Sequence, residues 1–399
     1  MDVHVQVPIV GEHLGRVRTP DDDYLTVMML SAGLAGIVQR RRQAAGGSAK
    51  EAGLLPAPWR VGFSRLWWRF ADQALQPLDS DLALLELCAQ PLATWPVQLD
   101  LSITDLQNSL LADGDLSEFA EQGSRLARHD VEAEWTENQV HLALREAAAA
   151  NGSSDEEIGE AYAVLRRYLI DHAVVADREV RGLERRFPAT DNSGQSHVHR
   201  LISLAYHSRP ARAPQEYILC PSCRNVLADL SACCATAGCP GGSPETWTAV
   251  PTAVVYEQHR ATRKYIHDPG LVEARIMDAL SVDSLAPTVR VTPYPGVDAL
   301  DVLIEFLRPG VGGVPEVVET WGVDAKDQVS ARLLGRGFTW PQAPACDRRY
   351  LALPAHRAGQ PGYISDLEAE LDGRVAGVHV IDENQLVARV KERVKELAA

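Results

Sequence analysis

The sequence predicts a multidomain chain of α plus α/β class: a helical N-terminal region, a four-cysteine zinc ribbon and a C-terminal α/β domain. Three observations carry this. Apolar residues recur at helical spacing within 116–190. Five of the seven cysteines fall between Cys220 and Cys239. From residue 252 onward, helical and strand patterns alternate.

A chain of 399 residues suits two or three domains at roughly 150 residues each. With 46% hydrophobic and 23% charged residues, it is neither collagenous, low-complexity nor wholly disordered. Lys plus Arg number 39 against 54 Asp plus Glu, a net charge of −15. Any contact with nucleic acid must therefore come from a local patch.

Residues 1–115 read as mostly helical, with Trp59, Trp67, Trp68 and Trp95 supplying aromatic mass and no chemistry. The longest uncharged apolar stretch, Tyr24 to Gln39, is 16 residues long, and a membrane-spanning helix needs about 20. It follows Asp21, Asp22 and Asp23, whereas a signal peptide starts basic. The expectation is a buried helix capped by Asp23 and ended near Arg40 to Arg42, in a cytoplasmic protein.

Within the region 116–196, residues to about 190 are strongly helical and Thr190 to Ser196 is a polar linker. Ser153 and Ser154 can cap a helix whose face is Ile158, Tyr162, Leu165 and Leu169. After a connector at His172 to Ala176, Asp177 can cap a second helix with Val180, Leu183 and Phe187 inward. Two helices joined this way can form a helix-turn-helix. The second exposes Arg178, Arg181, Arg185 and Arg186, which either touch DNA phosphates or form a solvated basic face.

The cysteine string is Cys220-Pro-Ser-Cys223, a ten-residue gap, then Cys234-Ala-Thr-Ala-Gly-Cys239. Two close pairs on tight turns suit tetrahedral thiolate coordination of zinc, within a ribbon spanning 215–246. Cys233 can replace Cys234, giving gaps of nine and five. A redox pair at Cys220 and Cys223 leaves the second pair unexplained. Four thiolates leave no open position, so this zinc holds structure and does not catalyse. A module this small has too little core to fold without metal.

In 252–399, a helix over Leu271 to Leu280 carries Glu273. A strand at Thr288 to Thr292 precedes a second at Ala299 to Phe306, with Leu300, Val302, Ile304 and Phe306 on one face and Asp301 on the other. A third strand, Val317 to Lys326, puts Asp324 and Lys326 opposite its apolar row. A helix opened by Asp327 comes next, then strands at Tyr350 to Pro354 and Val375 to Ile381, and a helix with Leu386, Val390, Val394 and Leu397 on one face. Two carboxylates on adjacent strands with a lysine two residues beyond one of them suit metal-dependent phosphodiester hydrolysis. Asp298 can serve instead of Asp301, although its parity follows the apolar row.

This order, over residues 265 to 399, resembles the PD-(D/E)xK nuclease superfamily, to which many restriction endonucleases belong. The matching strings are Gly296-Val-Asp-Ala-Leu-Asp301 and Gly322-Val-Asp-Ala-Lys-Asp327. The resemblance implies a restriction-endonuclease-like α/β domain with a mixed central sheet. Asp301 and Asp324 would be its Mg²⁺ or Mn²⁺ ligands, Lys326 its catalytic lysine, and Glu273 the helix glutamate that some members place at the metal. An aspartate as second acid is within the family's range.

The wider layout is Tyr168-Leu-Ile-Asp-His-Ala-Val, then the four-cysteine ribbon, then the terminal domain. It is similar to the restriction-endonuclease-related proteins found beside prokaryotic PIWI-related (pPIWI-RE) genes. That likeness implies a bacterial antiviral defence system, with a PIWI-related Argonaute-like protein and a helicase as partners. The expected activity is a metal-dependent DNA endonuclease. Cutting both strands needs two active sites, which a homodimer or paired recruitment supplies. The rivals are a silent nuclease fold kept for DNA binding or scaffolding, and an adaptor built on the ribbon and helices.

Overall fold

A computed structural model describes residues 21–45, 55–127, 131–210, 215–227, 230, 234, 236–249, 254–282, 285, 288–310 and 314–398. The chain divides into two compact units, Met1–His129 and Asp130–Ala399.

In the first unit, helices α1 (Asp21–Ala45), α2 (Ala57–Asp72), α3 (Asp81–Cys88) and α4 (Ile103–Leu106) lead to a short hairpin, β1 (Leu111–Ala112) and β2 (Asp115–Leu116), and then α5 (Glu118–Leu126). Helix α1 packs on α2 and α5. The α1–α2 approach needs glycine: a Cβ on Gly62 would meet Leu30 at 2.8 Å, and one on Gly33 would strike the Trp59 backbone. Trp59 is fully buried, and its indole N–H donates to Asp81 at 2.6 Å.

The Asp23 cap is corrected. Asp23 lies inside α1, and its carboxylate accepts from Arg69 at 2.5 Å and from the Asp100 N–H at 2.6 Å. The helix also runs past Arg40–Arg42 to Ala45, and Arg42 pairs with Asp115 at 2.5 Å. No described helix is long and apolar enough to cross a membrane.

The second unit opens with a helical hairpin, α6 (Val131–Asn151) and α7 (Asp155–Asp171). Ser154 caps α7 by accepting the Glu157 N–H, and Tyr162, Leu165 and Leu169 are buried as their spacing requires. The connector after α7 is a strand, β3 (Val174–Ala176), paired in a sheet, and not a simple turn. Ala176 is the cap residue of α8 (Asp177–Arg186), with the Glu179 carboxylate returning to the Ala176 N–H at 2.7 Å. Asp177 is the first helical residue and pairs with Arg181.

Helix α9 (His197–Ala205) and strand β4 (Tyr206–Pro210) come next. The cysteine module contributes strands β5 (Gln215–Leu219), β6 (Val226–Leu227) and β7 (Glu245–Ala249), and β8 (Val254–Gln258) lies beyond it. Two three-stranded antiparallel sheets result, ordered β3–β8–β4 and β6–β5–β7. The cysteine module is thus an insertion between two paired strands of the first sheet.

A helical turn α10 (Arg260–Thr262) and a π turn over Arg263–His267 run into α11 (Asp268–Leu280). Then come strand β9 (Val289–Pro293), a single turn α12 (Pro295–Asp298), β10 (Val302–Pro309), β11 (Pro315–Ala325) and α13 (Ala331–Gly337). The chain ends with β12 (Arg348–Leu353), α14 (Ala355–Ala358), α15 (Tyr363–Leu371), β13 (Val378–Asp382) and α16 (Glu383–Ala398).

The five strands order as β13–β12–β11–β10–β9. Neighbours are antiparallel from β9 to β11 and parallel from β11 to β13, which is the mixed sheet expected. Trp321, Val323, Tyr350 and Ala352 share a core with α7, α11 and α16, whereas Leu351 and Leu353 pack with α13 and α15.

Two boundaries differ from expectation for local reasons. Strand β10 starts three residues later than Ala299, because Tyr294, Gly296, Val297 and Asp298 all have φ between 48° and 77°. For Val297 this left-handed backbone is sterically costly. Helix α13 opens at Ala331 under a Ser330 cap, because Asp327 is held elsewhere, by Arg357 at 2.7 Å and His356 at 3.4 Å.

Candidate functional site: a thiolate cluster and an acidic centre

Cys220, Cys223, Cys234 and Cys239 place their sulfurs within 4.8 Å of one another. The Cys220–Cys239 and Cys223–Cys234 sulfurs are 3.5 and 3.4 Å apart, and all four cysteines are free thiols. A tetrahedron with Zn–S bonds of about 2.3 Å has edges of roughly 3.8 Å, so the set fits zinc. Cys233 lies outside the described residues.

The first knuckle closes through Cys220 N–H to Asn225 O and Arg224 N–H to Cys220 O, both 2.9 Å, with Arg224 at φ 62°. At the second, the Gly241 N–H points at the Cys239 sulfur at 3.4 Å. Burial pushes the Cys239 thiol up to about 11 and Cys223 well above its ordinary value. Without a cation, such thiols stay protonated.

The module is tied to the five-stranded-sheet region of the chain at two points. The buried Asn225 amide donates to Asp268, the first residue of α11, at 2.8 Å and to Thr236 at 2.7 Å. Gly238, at φ 64°, lies against the His356 ring so closely that no Cβ would fit. His356 in turn faces Asp327, the residue after Lys326.

The acidic centre forms where β10 begins and β11 ends. Val302 pairs with Val323, so Asp301, just before the one, and Asp324, just after the other, stand side by side. Asp301 donates its N–H to Val323 O and accepts the Ala325 N–H at 2.6 Å. The Lys326 ammonium contacts Asp324 and lies 3.9 Å from Asp301. Asp301 and Asp324 are 6% and 9% exposed; the Lys326 side chain is about a third exposed, so the lysine end opens to solvent.

Burial pushes Asp324 up to about 7, with the Lys326 charge pulling down and the Asp301 charge pushing up. Burial alone would favour a neutral Lys326, but the Asp324 and Asp301 carboxylates outweigh it and raise its pKa. The lysine is therefore a cation.

Glu273 comes from α11 and is 3% exposed. Both its oxygens are engaged by Arg166 of α7, at 2.9 and 3.2 Å. Arg166 also donates to Asp298 at 3.2 Å and stacks over Tyr294, 4.7 Å from the ring centroid. Burial pushes Glu273 up to about 7, against the pull of Arg166 and with the push of Asp301. Among the described residues, the three carboxylates Glu273, Asp301 and Asp324 do not converge as tightly as the cysteines do.

Sequence reasoning did not single out Arg166. A signal was there: it sits four residues after Tyr162 on the buried side of α7, where an arginine needs a partner. Asp298, the alternative first acid, is the arginine's second partner. Of the expected phosphate contacts, Arg178, Arg181 and Arg185 are all exposed on α8. Arg181 is 2.8 Å from Asp177, while Arg178 and Arg185 have no acidic partner among the described residues.

Residues 270–398 match a protein-family model described as the restriction endonuclease (REase) associating with pPIWI_RE. No curated protein and no solved structure matches the chain.

Proposed function

Because residues 270–398 match the family of restriction endonucleases associating with pPIWI_RE, we propose that this protein is a divalent-metal-dependent DNA endonuclease of a bacterial defence system. The observation that carries this is the meeting of Asp301 and Asp324 across β10 and β11 beside the Lys326 ammonium. Hard carboxylate oxygens of this kind fit Mg²⁺ or Mn²⁺. A cation held there would lower the pKa of a bound water and offset charge on the phosphate.

The chain's own groups do the rest. Asp301 is fixed by the Ala325 N–H, so its free oxygen has one direction. Lys326 stands as a cation beside both carboxylates. It can orient the attacking water and stabilise the anionic transition state. The four-cysteine module, holding zinc, would brace α11 through Asn225 and the Asp327 loop through His356.

DNA contact would use the exposed arginines of α8. Strand β3, helices α8 and α9, strand β4, the zinc module and β8 occur in the order of a winged-helix arrangement, with the module in the wing's place. Partners would come with the family: a PIWI-related Argonaute-like protein, with a helicase, would open or mark the DNA. An acidic protein binds bare DNA weakly, so targeting rests on them. Two copies of the chain would cut both strands.

The rival reading, a silent nuclease fold serving as a scaffold, has one observation behind it: both Glu273 oxygens are taken. Cleavage of plasmid and single-stranded DNA in Mg²⁺ or Mn²⁺, with and without the partners, decides. Asp324→Ala should abolish it, and Lys326→Ala should lower kcat by roughly 100-fold or more. No cleavage by the wild type in any condition, with DNA binding unchanged in Asp324→Ala, would leave the scaffold.

A further inference from the structure

The family match begins at residue 270, yet a buried cation of the acidic centre comes from residue 166. Four carboxylates are grouped there: Glu273, Asp298, Asp301 and Asp324. Two cations face them, Arg166 and Lys326. The pairing is unequal. Arg166 spends its fork on Glu273 and a further N–H on Asp298, all within 3.2 Å. Lys326 faces Asp301 and Asp324 and is the more exposed of the two cations, since its side chain keeps about a third of its surface.

A bidentate guanidinium–carboxylate pair is planar and directional, and it occupies the inward-facing lone pair of each oxygen, the side on which a metal would be chelated. With Arg166 in place, Glu273 and Asp298 form a set with one excess negative charge. Asp301 and Asp324, facing Lys326, form a second set, also with one excess. With all four carboxylates ionised, as a bound cation would favour, the formal balance of the whole is −2, which one divalent ion satisfies and two would overshoot.

We propose that Arg166 is a positioning residue of the nuclease centre: it withdraws Glu273 and Asp298 from coordination and leaves Asp301 and Asp324 as the ligand pair for a single divalent cation. This rests on the nuclease reading and departs from the expectation that Glu273 binds metal. It also makes helix α7 part of the active centre, so the matched segment is not self-sufficient. The strained turn at Tyr294 to Asp298 has a use here, since it brings both the Tyr294 ring and the Asp298 carboxylate onto the guanidinium.

The test is calorimetric titration of the zinc-loaded, full-length protein with Mn²⁺, alongside cleavage kinetics. The wild type should bind one Mn²⁺ per chain at this centre, lost in Asp324→Ala. Glu273→Gln keeps the hydrogen-bonding shape and should still bind one Mn²⁺ at an affinity within about threefold. Arg166→Gln should take up more than one Mn²⁺ and lose roughly tenfold or more in kcat with KM for DNA little changed, and Arg166→Lys should restore single occupancy.

Two Mn²⁺ in the wild type, falling to one in Glu273→Gln, would overturn the inference and leave the nuclease intact. So would Arg166→Gln with unchanged stoichiometry and kcat. If Arg166 variants do not fold, Glu273→Gln alone decides. No Mn²⁺ binding by the wild type, with no change in Asp324→Ala, would sink the nuclease reading itself.

Discussion

The four-cysteine cluster and the acidic centre each gather four acidic side chains, by opposite routes. The four cysteines come from a stretch of twenty residues and meet through two tight turns. The acidic centre draws on α7, α11, the turn before β10 and the end of β11, from Arg166 to Lys326. One is assembled by local chain geometry that a metal can complete. The other exists only once the sheet has formed and α7 has packed against it, so its charges are fixed by tertiary structure.

The largest difference should appear when each is broken. Removing the metal, or substituting Cys223→Ser, should unfold the cysteine module, because binding free energies for structural zinc run to about 10–16 kcal/mol in small zinc domains. The five-stranded sheet has its own core and should persist, with circular dichroism showing its strands retained. Cleavage should nonetheless fall, since the module braces Asp268 and His356. A chelated protein that cleaves at the wild-type rate would show that the two regions are independent.

Breaking the acidic centre should cost less and spread further. Arg166→Ala leaves Glu273 buried with no counter-charge, a loss of about 3–5 kcal/mol. Thermal unfolding monitored on the second unit should report a clear fall in Tm, partly recovered by the double variant Arg166→Ala with Glu273→Gln. A double variant no better than the single one would mean that the arginine stabilises by packing on Tyr294 and not by pairing.

Legibility in the sequence divides along the same line. The cysteine spacing, the VDAKD string and the alternation around β10 and β11 are local patterns. From them came the four-cysteine cluster and Asp324 beside Lys326, while the mixed sheet came with the family resemblance those strings carry. The burial of Arg166 could be read from its place four residues after Tyr162, but its partner could not, because Glu273 lies 107 residues away and a helical repeat does not tell which acid a buried arginine will meet. Strand β3 was hidden for a related reason: Val174–Ala176 is too short to show a period and is a strand only because β8 pairs with it. The continuation of the turn through Val297 and Asp298 escaped because both adopt a backbone their side chains disfavour.

The acidic centre should also respond to pH where the thiolate set, once metal-bound, does not. Glu273 and Asp324 are both pushed up to about 7 in the fold, above their unfolded values of about 4.3 and 3.9. Between those limits the folded state holds more protons than the unfolded one, so stability falls as pH rises. Without added divalent cation, the zinc-loaded protein should be less stable at pH 8 than at pH 5, by on the order of 2 kcal/mol for each of the two carboxylates. Asp324→Asn should remove about half of that slope, leaving the Glu273 part, and Mn²⁺ at pH 8 should offset the loss at Asp324. A stability that rises from pH 5 to pH 8 and ignores Asp324→Asn would show the carboxylates to be better compensated than their burial implies.

The smallest effect on stability should come from α8, and it separates surface charge from both buried sets. Arg178 and Arg185 are exposed and lack an acidic partner among the described residues, so Arg178→Ala with Arg185→Ala should leave Tm unchanged within measurement. Their contribution, if phosphates lie against α8, is electrostatic and lies in DNA binding. For each phosphate no longer neutralised, the slope of log K against log salt should shrink by about 0.9 on duplex DNA. The double variant should therefore bind more weakly at low salt and converge with wild type at high salt, while Asp324→Ala should leave that slope untouched. An unchanged slope in the arginine variant would make this face a solvated helix surface and move DNA binding to the rest of the unit.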